Sequence, residues 1–196
     1  RGEACLRAAV KMKSKGYSPQ IIVAHPGWGE SLFLKEIWPD AQLKLYCEFF
    51  YHTQDADVGF DPEFPSDPLS AGRVTLKNAN MLLQFQQADA GISPTLWQAS
   101  TFPKHIRDKI TIIHDGIDTQ VVKPNQDAQF AMASGKVLTR KDEIITFVNR
   151  SLEPYRGFHV FMRSLPAVLS QQPNALVLIV GAEGVSYGSE PSNGIS

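Results

Sequence analysis

Several things are scarce or missing in this sequence, and each absence excludes something. No apolar run approaches the ~20 residues that a helix needs to cross a bilayer, so no membrane-spanning segment is expected. An excess of one charge is missing too. Nineteen basic residues stand against twenty acidic ones, a formal net charge of -1, so bulk neutralisation of nucleic-acid phosphates is excluded and no nucleic-acid partner is expected. Cysteine occurs twice. Cys5 and Cys47 sit in apolar patterns without a near partner, which reads as buried free thiols in a reducing, cytoplasmic compartment. The five histidines show no metal-ligand spacing, and neither a nucleophile elbow nor a Walker loop occurs.

What is present is ordinary for a globular chain. Hydrophobic residues make up 43%, enough to bury a core. A helix is predicted over 3–14, with Cys5, Leu6, Ala9, Val10 and Met12 as its apolar stripe and Gly16 as its stop. PQIIVAH reads as a buried parallel strand, a helix follows over 30–38 before Pro39, and QLKLYCEF is the next strand. Residues 45–72 hold six acids and no Lys or Arg, with Pro62, Pro65 and Pro68 interspersed; this is a long exposed loop. A helix over 73–87, the strand ADAGISP, a short helix near 95–100 and the strand KITIIHDG complete an open, mostly parallel α/β sheet.

Residues 119–142 lack a clear period and read as a linker between a first domain, 1–118, and a second, 143–196. In the second, EIITFVNR and ALVLIVG are strands, and Phe158, Phe161, Met162, Leu165, Val168 and Leu169 mark a helix face. Pro166 is expected to kink or shorten that helix. Two strands and one helix cannot cover both faces of a parallel sheet. The chain opens at Arg1 inside a helical pattern and closes in SEPSNGIS, so both domains are expected to be incomplete.

In open α/β sheets, ligands bind beyond the carboxyl ends of the strands. The residues there are His25 with Gly27 and Gly29, then Glu48, Ser93 and His114-Asp115-Gly116, with Asn149-Arg150 and Gly181 in the second half. Each is equally a mere strand end. NRSLEPYRGF ends a strand in Arg150 and opens a helix at Arg156-Gly157. Two guanidinium groups beside a helix N-terminus suit a diphosphate; the alternative is surface arginines and a Gly that eases the turn. HPGWGESL, with Glu48 ending the next strand, approaches a dinucleotide fingerprint. It lacks the third glycine and carries Pro26, so a tight turn passing close to a ligand fits better. Asp55-x-Asp57 has the form of a metal-binding pair but lies in the acidic loop, where a solvated surface is expected, and no metal site is predicted. Trp28, Trp38 and Trp97 read as core or rim packing, Trp28 standing where a ligand would pass.

HDGID followed by KP, then FVNRSLEPYRGFHVFMRSLPAVL and PNALVLIVG, resembles the domain junction of family 4 glycosyltransferases with the GT-B fold. HPGWGESLFLKEIWPDAQLKLYCEFFY is similar to the first-domain segment of one bacterial subgroup. The resemblance implies two Rossmann-like, doubly wound domains, here as an internal fragment inactive alone. It implies transfer of a sugar from a nucleotide-diphosphate sugar to a glycan or lipid-linked acceptor, with retention and no cofactor or essential metal. The parent would act in the cytoplasm, with peripheral association at the inner membrane face. Arg150 matches the family's diphosphate-binding Arg, and Arg156 before Gly157 stands where the family has Lys. Glu48 stands where many members have His; either Glu48 or the nearby His52 would replace it, or the acceptor is handled differently. Glu48 with His25 is the catalytic candidate, and Gly27, Trp28, Ser93, Gly116 and Gly181 line the cleft. A Glu-x7-Glu segment is expected beyond Ser196. Two other functions remain open at this level. One is an NAD-dependent oxidoreductase using the Gly27/Gly29 turn. The other is a periplasmic-type solute-binding protein, which needs a signal peptide upstream.

Overall fold

The computed structural model describes residues 1–54 and 56–186 and divides into two compact units, Arg1–Ile117 and the residues from Asp118 onward. The first unit opens with α1 (Gly2–Ser14). Gly16 ends it at a φ of 85°. There the Gly16 N–H bonds to the Lys13 carbonyl and the Tyr17 N–H to that of Met12, the paired bonds of a Schellman stop. Strand β1 (Ile21–Ala24) follows, then a 3₁₀ turn over Pro26–Trp28 and the short α2 (Leu34–Ile37). The helix predicted over 30–38 is thus only its last turn, because Gly29 at a φ of 83° keeps residues 29–33 in turns.

Next come β2 (Gln42–Tyr46), the irregular acidic stretch, α3 (Ser70–Gln87), β3 (Ala90–Ser93), α4 (Leu96–Ser100), α5 (Lys104–Arg107) and β4 (Ile110–Ile112). All four strands are parallel, in the order β1-β2-β3-β4. This is one continuous Rossmann-like βαβ winding, an α/β fold as the sequence predicts. Leu43 and Leu45 of β2 and Cys47 just beyond it alternate and are fully buried against Met81 and Phe85 of α3, Phe102 and Ile106. Ile22 packs against this cluster and also against Ala9, Trp38 and Ala41, so the helices gather on one face of the sheet. Both thiols are free; Cys5 is half-buried and Cys47 buried. Burial pushes the Cys47 thiol up to about 12, so it packs as an apolar group.

Strand β1, predicted to be buried, is instead the edge strand of the described sheet. Ile21 and Val23 are 59% and 65% exposed and line an open groove with Cys5, Ala8 and Met12 of α1. The apolar run read correctly as a strand, but a run says nothing about how many neighbours it has.

In the second unit, residues 119–142 contain an antiparallel hairpin of β5 (Gln129–Ala131) and β6 (Val137–Thr139), too short to show a period. Strand β7 (Ile144–Ser151) pairs in parallel with β8 (Leu176–Ala182), connected by a 3₁₀ turn over Pro154–Arg156 and by α6 (Phe158–Gln171). Pro166 does not shorten α6. It removes a single backbone donor, while Phe158 and Phe161 anchor the first turn on Phe147 of β7.

Candidate functional site

Because the four strands of the first unit run the same way, the residues that follow them share one edge of the sheet. His25, immediately after β1, caps the Pro26–Trp28 turn: its Nδ1 accepts from the Gly27 N–H at 3.0 Å. With Nδ1 an acceptor, the ring proton sits on Nε2, which lies 3.1 Å from Glu48 Oε2. Both ring nitrogens are thereby engaged. Glu48, held on one oxygen and with its side chain 58% exposed, is the group of the pair with capacity to take a proton. The sequence placed these two residues at strand ends, and the structure brings them together.

The turn carrying His25 is fixed from below. Gln84, buried on α3, donates to the Pro26 carbonyl at 2.7 Å, and Asn80 donates to the same oxygen at 3.2 Å. The Ser31 hydroxyl donates to the Gln84 side-chain carbonyl. Gly27 lets the turn pass close under the ring: a Cβ there would lie 2.7 Å from His25 Cε1, so the imidazole would have to shift.

Beside this pair, the Tyr46 hydroxyl donates to both carboxylate oxygens of Asp115, at 2.8 and 2.9 Å. Burial, the bond to Asp115 and the negative charges of Asp115 and Glu48 push the phenol up to about 12, so it remains a donor. Sequence reasoning missed Tyr46. It is the last residue of β2, and its partner follows β4, so only the strand order shows that they meet.

The remaining candidates are scattered. Gly116 follows β4, exposed and at a φ of 82°. Ser93, expected to line a cleft, is fully buried. Its hydroxyl donates to the Thr95 carbonyl at 3.4 Å, so its size and polarity serve the β3–α4 turn. Of the three tryptophans only Trp38 is core; Trp28 and Trp97 are 55% and 66% exposed. Asp55 lies outside the described residues, and Asp57 accepts from the His52 N–H at 3.2 Å.

In the second unit, Arg150 lies exposed near the end of β7. Arg156 lies in the turn before α6, its Nε 3.7 Å from a carboxylate oxygen of Glu153. Glu153 is buried and accepts from the Ser186 N–H at 2.9 Å. Gly157 joins that turn to α6 at a φ of 75°. Gly181 is a close-packing position, where a Cβ would meet Leu152 Cδ2 at 2.7 Å and the Asn149 carbonyl at 3.0 Å.

The model of the glycosyl transferase family 4 group matches residues 1–122, more than half of the sequence and all of the first unit. Among curated proteins, none matches the chain. No helix among the described residues is long and apolar enough to cross a membrane.

Proposed function

Since the chain belongs to the glycosyl transferase family 4 group, we propose that it serves transfer of a sugar from a nucleotide-diphosphate sugar to an acceptor hydroxyl, with retention of configuration. The observation that carries this reading is the His25–Glu48 contact at 3.1 Å on the carboxyl edge of a parallel sheet, where α/β folds bind ligands. In the transfer, the bond between the anomeric carbon and the diphosphate oxygen breaks, and its electron pair leaves with the diphosphate. The acceptor oxygen bonds to that carbon on the face the diphosphate leaves from, so configuration is retained, and its proton passes to Glu48. His25 holds the carboxylate in place. Within the second unit by itself, Arg150, Arg156 and the amino end of α6 at Gly157 supply positive charge of the kind a nucleotide diphosphate needs, so this reading needs no metal ion. The oxidoreductase and solute-binding alternatives draw no support from the family match.

The donor side has a direct test in the full-length enzyme. A hydrogen bond to a charged group contributes about 1.5–3 kcal/mol, so Arg156→Ala is expected to weaken nucleoside-diphosphate binding about ten- to a hundredfold. Arg156→Lys is expected to recover part of that loss, and binding of the bare nucleoside should hardly change. Calorimetric titration of UDP and GDP against uridine and guanosine reads the difference. Equal weakening of nucleoside and diphosphate means that Arg156 supports the fold through Glu153 and does not hold the donor.

A further inference from the structure

We infer that Tyr46 is a positioning residue: fastened by Asp115, its ring holds the His25 imidazole where Glu48 can use it, an inference that rests on the transferase reading above. His25, Tyr46 and Glu48 line one small recess at the carboxyl edge of the sheet. The imidazole bonds to the Gly27 N–H through Nδ1 and to Glu48 through Nε2. Both bonds lie in the ring plane and hold the ring within it. Rotation about the line joining the two nitrogens strains them least, so a neighbour has to oppose it. Two aromatic rings accompany the imidazole, Trp28 at 6.4 Å and 29° and Tyr46 at 6.1 Å and 38°. Trp28 is more than half exposed. The Tyr46 ring is anchored at both ends, by the β2 backbone and by Asp115 at its hydroxyl.

The anchor is itself held in place. The strands run in the order β1-β2-β3-β4, so the Tyr46–Asp115 bond reaches past the end of β3 and ties β2 to the turn after β4. In that turn the Gly116 N–H donates to His114 Nδ1 at 3.0 Å, the same His-x-Gly closure that fixes the His25 turn. Burial, the Asp115 bond and the charges of Asp115 and Glu48 keep the phenol protonated, up to about 12, so the anchor persists at any physiological pH. A bond to an exposed carboxylate adds little to the stability of a fold, because water competes for both partners. What it does determine is where the ring lies, and that ring stands against His25.

The test is kinetic and uses the full-length enzyme, with turnover read as release of UDP or GDP from UDP-sugars and GDP-sugars. Tyr46→Phe keeps the ring and removes its anchor. Its kcat is expected to fall about tenfold, a fraction of the roughly hundredfold that a misplacement of about 1 Å can cost. KM for the sugar donor, affinity for UDP or GDP and the unfolding midpoint should stay unchanged. Asp115→Ala should cost the same as Tyr46→Phe. Asp115→Asn keeps an acceptor for the hydroxyl and should recover part of the loss. Residues that act through one another do not add, so in a Glu48→Gln background Tyr46→Phe should cost kcat nothing further. Wild-type kcat in Tyr46→Phe overturns the inference. So does a loss that repeats in full on Glu48→Gln, and so does one that tracks a fall in the unfolding midpoint, since each makes Tyr46 idle or merely structural. Wild-type kcat in Glu48→Gln sinks the proton transfer to Glu48 itself, and the inference with it.

Discussion

A methyl group added at residue 27 would sit 2.7 Å from His25 Cε1 and 3.0 Å from its Nδ1. Neither the ring nor the turn can give way cheaply, because the ring is bonded on both nitrogens and the Pro26 carbonyl is tied to α3. Gly27→Ala is therefore expected to swing the imidazole and carry Glu48 with it. A misplacement of about 1 Å can cost on the order of a hundredfold in rate, so kcat/KM of the full-length enzyme should fall by roughly that factor. The unfolding midpoint should move little, since the clash is confined to the edge of the sheet. A variant with near-normal kcat/KM would show that the His25–Glu48 contact is not used. At this scale the sequence was informative about glycine and histidine and silent about tyrosine. Gly27 and His25 stand at a strand end, where polar residues are conspicuous. Tyr46 also ends a strand, but an aromatic residue there passes for ordinary strand composition, and its role depends on Asp115, 69 residues further on.

The elements around the site divide in the same way between local and distant causes. Helix α1 was legible to its last residue because its stop is local: Gly16 supplies the left-handed turn that closes it. The β1, β2, β3 and β4 runs were legible as strands because their apolar residues are consecutive or alternate. That β1 would be the edge was not legible, since its neighbours are set by the winding of the whole sheet. Nor was the β5–β6 hairpin, whose strands of three residues each are shorter than any period. Helix α3 shows what pattern reading leaves out. Val74, Met81 and Phe85 mark its buried face, but so does Gln84, at 1% exposure. Its amide bridges the Pro26 carbonyl, the Asn80 carbonyl and the Ser31 hydroxyl. Gln84→Leu fills the same space and removes every one of those bonds. Buried polar groups left without a partner cost about 1–3 kcal/mol, and the variant is expected to lose stability in that range. Its activity should drop further than that of an apolar truncation away from the turn such as Ile106→Val, because the His25 turn loosens. Denaturant unfolding and kcat/KM measured on both variants check this.

Across the first unit as a whole, opposite edges of the sheet serve opposite purposes. The carboxyl edge holds His25, Glu48, Tyr46 and Asp115, and the amino edge carries fastenings. There Asp89, just before β3, accepts from the Leu43 N–H at 2.7 Å and lies 3.5 Å from Lys35 Nζ. Lys35 in turn donates to the Pro39 and Ala41 carbonyls at 2.9 and 2.8 Å, so one carboxylate ties β2, β3 and α2 together. The Leu43 N–H, then Lys35 and Lys44, hold the Asp89 carboxyl below its ordinary value of 3.8. A carboxyl depressed by folding adds stability in full above its unfolded value and loses it as pH falls through the lower folded one. Asp89→Asn is therefore expected to be less stable than the wild type at neutral pH. The gap should narrow once pH drops below about 4, where unfolded carboxyls protonate, and close at still lower pH. Because Asp89 lies at the far edge from the site, nucleoside-diphosphate binding at neutral pH should not change. Denaturant midpoints of both proteins between neutral and strongly acidic pH provide the measurement. A gap that stays constant across that range would mean that the Asn variant loses packing and not charge, and that the amino edge is held by something other than this carboxylate.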